Sequence, residues 1–264
     1  MSIRFILPAL IAVLLSTHGT AQERVTTFGL QVKPIIPSNL FNAGSEELSQ
    51  NGIDYTVDQR IGFAFGGVLR FGITNWLSLE SGISFARRNY SLLLAHEELA
   101  NFDTANYGII GYEIPISGLV FVRLSDEIYM NTSFGMAMDM FPSEVGSEGN
   151  GDFFQRSFRR GYGANNSYLN WLKLGLLVNI GFEYRTEESG YFYIGASYHR
   201  PFSPIYDTQF NYIFGNQLDE GSIPITGNYL TIDFRYFFHE EPREKKKKVE
   251  ERDPSTMPSW MRKD

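Results

Sequence analysis

The stretch Leu172-Lys173-Leu174-Gly175-Leu176-Leu177-Val178-Asn179-Ile180-Gly181-Phe182-Glu183-Tyr184 decides the fold of this chain. Its even-numbered positions all carry large apolar side chains, whereas the odd-numbered positions, Leu177 apart, carry Lys, Gly, Asn and Glu. Successive side chains of a β-strand point to opposite faces, so a period of two predicts a strand with one apolar and one polar face.

Seven further segments alternate in the same way and are separated by stretches rich in turn residues. They cover residues 26–33, 60–72, 77–85, 107–122, 128–139, 192–199 and 229–238. The fourth of the eight contains Pro115, which cannot donate a hydrogen bond to a neighbouring strand. The pattern predicts an all-β protein of about eight strands.

The connections between these segments alternate between long and short. Long connections (about 34–58, 88–106, 141–168 and 201–226) follow the first, third, fifth and seventh strands, and short turns follow the second, fourth and sixth. This rhythm is typical of an up-and-down outer-membrane β-barrel, which has brief periplasmic turns and longer external loops. It places both chain ends on the periplasmic side.

The composition of the polar face favours a membrane barrel over a soluble one. Aromatic residues make up 15% of the chain, there are 25 glycines, and mean hydropathy is only −0.20. A soluble β-sandwich or lipocalin-like barrel also alternates, but its polar face is solvated and rich in Lys, Glu and Thr. Here Gly, Ser and Ala dominate that face with isolated charges, which suits the crowded lumen of a transmembrane antiparallel barrel.

The first 21 residues predict a signal peptide. Arg4 precedes an apolar run of about eleven residues, and the segment ends in Gly19-Thr20-Ala21. The alternative, a helical membrane anchor, needs about 20 apolar residues. The chain has no cysteine, which excludes a lipid anchor on cysteine and disulfide bonds.

Charge divides the chain into two parts. Residues 22–238, the predicted barrel, hold 14 basic and 23 acidic residues, and this acidity argues against nucleic-acid binding. Residues 239–264 hold eight basic and seven acidic residues with three prolines, a composition that cannot form a core. We expect a disordered, charged periplasmic tail, either simply solvated or a tether that docks Trp260 into a partner.

Three stretches resemble a known family. These are residues 69–83 (LRFGITNWLSLESGI), 112–116 (YEIPI) and 229–238 (YLTIDFRYFF). Together they resemble the PorT-like outer-membrane β-barrel proteins of Bacteroidetes, over roughly residues 22–238. The resemblance implies a barrel in the outer membrane and a role as an accessory to secretion or outer-membrane assembly machinery.

Ionisable residues on the polar face form the first candidate site. Eight strands leave an interior just wide enough for side chains, so charges confined there must pair. We expect a sealed plug of ion pairs, with a gated ion path or an active site as the alternative. The expected luminal charge network comprises Arg60, Arg70, Glu80, Glu113, Asp139, Lys173, Glu183, Asp233 and Arg235.

An enzyme is the second function class. Ser197 and His199 share one face of a strand, so a membrane-embedded hydrolase or acyltransferase with a luminal or rim Ser/His site is the alternative. Both residue types also suit a polar lumen, and we expect no catalytic residues. No Cys/His or carboxylate set has metal-ligand spacing, and no phosphate-binding loop is present, so no metal or cofactor is expected.

The long connection at 141–168 is a candidate contact surface. Aromatic residues and arginines are enriched where proteins meet partners, although such a cluster also suits a loop base on the barrel rim or a site for lipopolysaccharide phosphates. The expected partner contacts are Phe153, Phe154, Arg156, Arg159, Arg160 and Trp260.

These patterns predict a small non-porin barrel of the cell outer membrane. We expect it to act without catalysis, as an envelope structural or interaction component. Its partners would be outer-membrane lipid or lipopolysaccharide and an envelope protein that contacts the external loops or the tail. A diffusion channel is disfavoured because eight strands leave no open aqueous lumen.

Overall fold

The structure, a computed structural model, describes residues 26–37, 45–74, 76–96, 101–149, 153–158, 170–186, 189–214 and 216–238. The predicted signal peptide and tail lie outside these residues. Thirteen strands are found in the described ranges, all paired antiparallel. They are β1 Thr26–Ile36, β2 Ser45–Gln50, β3 Ile53–Gly72, β4 Leu77–His96, β5 Asn101–Arg123, β6 Ile128–Met140, β7 Val145–Glu148, β8 Phe153–Phe158, β9 Leu172–Arg185, β10 Tyr191–Pro201, β11 Tyr206–Phe214, β12 Gln217–Ile225 and β13 Tyr229–Phe237.

Eight of these strands close into a barrel in the order β1-β13-β10-β9-β6-β5-β4-β3, and β3 pairs with β1. Closure is visible at Gly29 of β1, which pairs with Phe237 of β13 on one side and with Val68 of β3 on the other. These eight strands correspond to the eight alternating segments, which confirms the predicted up-and-down barrel. The part of the chain that the structure describes contains no helix long and apolar enough to cross a bilayer.

The two faces of each barrel strand differ as alternation requires. On β1, Phe28, Leu30 and Val32 are exposed on the outer face, while Gln31 and Lys33 are buried inside. The outward apolar series on β3 runs from Ile61 to Phe71. Ten residue steps of about 3.3 Å at a tilt of about 40° give a band about 25 Å tall, which matches the apolar band of an outer-membrane barrel.

Short turns join strands at one end of the barrel, which we call the short-turn end. They connect β3 to β4, β5 to β6, and β9 to β10, as the sequence predicts. The opposite end, the long-loop end, differs from the expectation of four long loops. Its described connections are largely β-structure: β3, β4 and β5 continue past the barrel wall, and β2, β7, β8, β11 and β12 are additional strands.

A β-bulge explains why the start of β3 was missed. The pairing of β3 with β4 shifts between Arg60 and Phe63. A bulge inserts an extra residue, so the inward-facing positions change from odd numbers, such as Gln59, to even numbers, such as Ala64. Arg60, predicted to face the lumen, is therefore exposed on the outer face. That prediction is wrong because it assumed an unbroken period of two.

The additional strands form a cap over the long-loop end. β12, β11, β8 and β7 make a four-stranded sheet that faces the extended ends of β3, β4 and β5. Between them lies an apolar core, which is the largest buried apolar cluster among the described residues. Its members are Ile53, Tyr55, Val57, Tyr90, Leu92, Leu94, Ala105, Tyr107, Ile109, Phe141, Phe153, Ile205, Tyr206, Phe210, Tyr212, Ile223 and Ile225.

Candidate functional site

The lumen near the short-turn end holds a chain of ion pairs that we call the base cluster. Glu80 accepts hydrogen bonds from Arg70, whose Nη2 lies 3.1 Å from Glu80 Oε2, and from Arg235. Arg70 Nη1 also lies 2.6 Å from Glu183 Oε2, and Arg235 Nη2 lies 2.9 Å from Asp233 Oδ2. All five side chains are buried and come from four different strands.

Charge balance and aromatic packing complete the base cluster. Arg185 Nε lies 2.6 Å from Glu183 Oε1, so three arginines face three carboxylates and the cluster is formally neutral. The guanidinium carbon of Arg70 lies 3.9 Å from the ring centroid of Phe237, and that of Arg235 lies 4.8 Å from that of Tyr193. Buried charges are tolerated only when they are paired in this way.

Neutral polar groups fill the middle of the lumen. Asn179 donates to Asp233 Oδ2 at 3.1 Å and to Ser197 Oγ at 2.9 Å, and it accepts from the Tyr193 hydroxyl at 2.6 Å. The Ser197 hydroxyl in turn donates to Asp233. On the adjoining wall Gln31 Nε2 donates to Ser84 Oγ at 2.8 Å. These bonds link β1, β4, β9, β10 and β13 across the interior.

A second charged group, the mouth cluster, lies toward the long-loop end. Arg88 Nη2 lies 3.2 Å from Glu113 Oε1 and 3.3 Å from Asp139 Oδ1. His199 Nε2 lies 3.3 Å from Asp139 Oδ2, and the Tyr229 hydroxyl donates to Glu113. Arg88 also contacts the Tyr229 ring at 4.9 Å. All five residues are buried.

The mouth cluster contains the one set of potential metal ligands identified in the described ranges. Glu113, Asp139 and His199 each offer a ligand atom within 4.8 Å of the others. However, the guanidinium of Arg88 already bridges both carboxylates, and buried Lys33 adds a further positive charge close to Glu113. A divalent cation would have to displace or tolerate both charges, so the donor set fits an ion-pair cluster better than a metal centre.

Ser197 and His199 do not form a nucleophile–base pair in the structure. The Ser197 hydroxyl donates to Asp233, whereas His199 faces Asp139. Both side chains are buried, with relative exposures of 3% and 0%. A nucleophilic serine needs a base within hydrogen-bond reach and access for substrate. The geometry therefore gives the lipid-modifying enzyme no support.

The apolar core of the cap begins directly on the mouth cluster. The guanidinium carbon of Arg88 lies 5.2 Å from the ring centroid of Phe141, and Phe141 packs edge-on against Tyr206 at 5.4 Å. Further out, Tyr55 stacks on Phe210 with their ring centroids 3.8 Å apart. Charged plug and apolar cap are thus continuous along the lumen axis.

Hydrogen bonds to Asp219 join the four-stranded sheet of the cap to the β2–β3 hairpin. Asn51 and Gly52 have φ of 54° and 75° and form its two-residue turn, a conformation that Asn-Gly favours. Asp219 of β12 accepts hydrogen bonds from Tyr55, from Asn51 at 2.7 Å and from Gln50 at 3.1 Å. Burial alone would raise the pKa of Asp219, but these hydrogen bonds hold it below its ordinary value.

Of the predicted luminal network, the structure brings seven residues into the two clusters: Arg70, Glu80, Glu113, Asp139, Glu183, Asp233 and Arg235. Lys173 lies opposite Asp139 in the register of β9 and β6 and is half-buried, whereas Arg60 is exposed on the outer face. Sequence reasoning missed Arg88. It lies four residues after Ser84 on the same face, so continuing the alternation past residue 85 would have found it.

The residues predicted to contact a partner lie in different environments, and three of them lie outside the described residues. Phe153 is 1% exposed and packs edge-on against Tyr212 in the cap core, so it is not a surface contact as predicted. It is buried because β8 pairs with β11 instead of forming a loop. Phe154 and Arg156 lie on β8 opposite Asn211 and Gln209. Arg159, Arg160 and Trp260 lie outside the described residues.

Comparison with known proteins bears on the fold. No protein-family model and no curated protein matches the chain. Among solved structures, the outer membrane protein OprG from Pseudomonas aeruginosa is similar, with a TM-score of 0.51 and 14% identity over 82% of this chain and 98% of OprG. The outer membrane protein AlkL gives a TM-score of 0.37 and 12% identity over 86% and 96% of the two chains. The translocator domain of autotransporter NalP from Neisseria meningitidis gives 0.29 and 12% over 88% and 93%.

The likeness to OprG concerns the fold alone at this level of identity. It agrees with the closed ring of eight strands, the buried polar lumen and the exposed apolar band described above. This chain therefore has the fold of an eight-stranded outer-membrane β-barrel.

Proposed function

We propose that the protein is a sealed, non-enzymatic barrel that acts as a structural and interaction component of the cell envelope. The observation that carries this proposal is the filled lumen: a formally neutral base cluster, a hydrogen-bonded middle layer and a mouth cluster lie one above another beneath an apolar cap core. An aqueous path would have to cross all of these layers.

The cost of opening such a path supports the proposal. Separating the carboxylates and arginines of the base cluster would leave buried charges without partners, at about 3–5 kcal/mol for each broken pair. The cap would in addition have to expose aromatic side chains such as Tyr55, Phe210 and Phe141 to water. A steady pore is therefore unfavourable. We infer that the protein acts through contacts on its outer surface.

The cap is the part that a partner would meet. We propose that the long-loop end faces the cell exterior and that the short turns face the periplasm, with residues 1–21 cleaved as a signal peptide and residues 239–264 forming a periplasmic tail. This orientation follows the usual asymmetry of bacterial barrels. The resemblance to PorT-like proteins of Bacteroidetes extends the proposal to an accessory role in secretion or outer-membrane assembly, with an envelope protein as the partner.

Two measurements test the proposal. Full-length protein in planar bilayers should show no steady conductance of porin size, and a stable large conductance would refute the sealed lumen. For orientation, an epitope inserted after Gly149, between β7 and β8, should be labelled on intact cells, while one at Asp126 in the β5–β6 turn should be labelled only after the outer membrane is opened. The reverse labelling would refute the orientation but not the seal.

A further inference from the structure

Two arginines on the outer face of the barrel have no acidic partner in the part of the chain that the structure describes. Arg60 of β3 and Arg87 of β4 are both exposed, and neither forms an ion pair within the described ranges. Arg87 has a hydrogen bond from Nε only, to Asn89. Among the described residues, both Nη groups of Arg87 and the whole guanidinium of Arg60 therefore have no partner and are available to a ligand.

The β-bulge brings these two side chains to one place. Arg60 pairs directly with Asn89, and Arg87 lies two residues before Asn89 on the same face of β4. Such diagonal neighbours on adjacent strands are about 7–8 Å apart at their Cα atoms, within reach of one shared ligand for side chains as long as arginine. Without the extra residue, position 60 would face the lumen, so the bulge itself creates the pair.

Arg87 is held in place for binding. Its Nε lies 3.1 Å from Asn89 Oδ1, and Asn89 Nδ2 donates at 2.8 Å to the carbonyl of Ile61 within the bulge. The guanidinium lies against the backbone of Gly108 on β5, where an added Cβ would be 3.0 Å from Arg87 Nε and 3.4 Å from Nη2. A glycine at this position thus gives the guanidinium the space in which it lies.

The surroundings identify the ligand. Directly on the membrane side of the pair lies an apolar surface that includes Ile61, 72% exposed, and the neighbouring rings of Phe63, Phe65 and Phe85. Arg87 adjoins Arg88 in sequence, so the pair lies at the height of the mouth cluster, at the upper edge of the apolar band. A ligand here meets fixed guanidinium groups above and an acyl-chain environment below.

We propose that Arg60 and Arg87 bind the phosphate group of an anionic lipid in the leaflet at the long-loop end. Arginine matches phosphate oxygens through its planar fork of donors, and the aromatic surface accommodates the attached acyl chains. Asp58, on the same outer face, lies beyond Arg60 on the side away from the membrane, and neither residue pairs with the other. This inference rests on the orientation proposed above, which makes a phosphorylated glycolipid of the lipid A type the expected ligand.

Binding can be measured with full-length protein in phosphatidylcholine nanodiscs titrated with diphosphoryl lipid A, using native mass spectrometry of the released protein. Removing two arginines near a charged membrane surface should weaken binding about 30-fold in Arg60→Gln/Arg87→Gln. The matched control Arg123→Gln/Arg200→Gln removes the same charge from two other exposed positions and should bind as the original protein does. Asn89→Ala keeps both charges but frees Arg87, and should weaken binding about fivefold.

The ligand controls distinguish a lipid phosphate from other anions. Dephosphorylated lipid A should bind the unaltered protein weakly. Its affinity should not exceed the affinity of the double variant for diphosphoryl lipid A. Millimolar inorganic phosphate should not displace the lipid, and if it does, the site is one for free phosphate and the proposal is wrong. Equal binding by the double variant and the original protein, or equal binding of phosphorylated and dephosphorylated lipid, would also overturn it. None of these results depends on lumen conductance, so the proposal of a sealed barrel is tested independently by the bilayer recordings.

Discussion

Replacement of Glu80 by Ala tests whether the base cluster stabilises the barrel. Glu80 lies between two arginines, and its loss leaves Arg70, Arg185 and Arg235 facing only Glu183 and Asp233. One uncompensated positive charge then remains in a buried site. Breaking a buried pair costs about 3–5 kcal/mol. We expect a loss of about 3 kcal/mol in the free energy of unfolding, at the lower end because each arginine keeps one other carboxylate.

The measurement is urea unfolding in lipid vesicles, followed by tryptophan fluorescence and by the shift in gel mobility of unheated protein. Arg70→Met/Glu80→Leu restores neutrality and should recover at least half of the loss, since apolar replacement of a whole buried pair is often nearly neutral. Asp126→Ala breaks the exposed pair with Arg123 and should change stability by less than about 0.5 kcal/mol. A loss below about 1 kcal/mol for Glu80→Ala, or no recovery in the double variant, would refute the reasoning.

Three further predictions concern the cap and the barrel wall. Phe210→Ala should cost the cap about 3–5 kcal/mol and make it sensitive to protease, while the barrel keeps its heat-modifiable gel shift. Because the pKa of Asp219 is lowered in the folded state, this carboxylate stabilises the cap at neutral pH, and the stabilisation is lost as pH falls below about 4. We therefore expect the protease resistance of the cap to decline at acidic pH. Asp219→Asn should make this decline smaller, whereas Glu220→Gln, at an exposed position, should leave it unchanged. Gly135→Ala should destabilise the barrel by about 1–3 kcal/mol in urea, since its Cβ would lie 2.2 Å from the Ile116 carbonyl oxygen, whereas Gly118→Ala meets only one atom at 4.0 Å and should be tolerated.

The barrel wall could be predicted from the sequence because its physical constraint is local. Lipid outside and packed polar groups inside impose a period of two on every spanning strand, and the stretch from Leu172 to Tyr184 shows it almost without exception. The same constraint fixes the face of Glu80, Glu113 and Asp233, so their burial follows from parity alone. Their particular partners do not follow, because pairing across the lumen depends on the register of strands distant in sequence.

The bulge and the cap could not be predicted from the sequence, for two different reasons. Residues 53–59 do alternate, with Ile53, Tyr55 and Val57 inward, but one extra residue near Arg60 reverses the parity and hides their continuity with the barrel strand. The cap depends on the pairing of β8 with β11, about fifty residues apart in sequence. Strands this short specify such a pairing only through the core that they share.

The placement of the two charged clusters has a consequence for how the parts depend on one another. Arg88 belongs both to the mouth cluster and, through Phe141, to the cap core, so loosening the cap removes aromatic contacts from a buried guanidinium. The base cluster shares no residue with the cap and is separated from it by the middle layer around Asn179. Damage to the cap should therefore weaken the Arg88 pairs first and leave the Arg70 pairs intact. A partner that grips the cap would act on the mouth of the barrel while the base keeps the lumen closed.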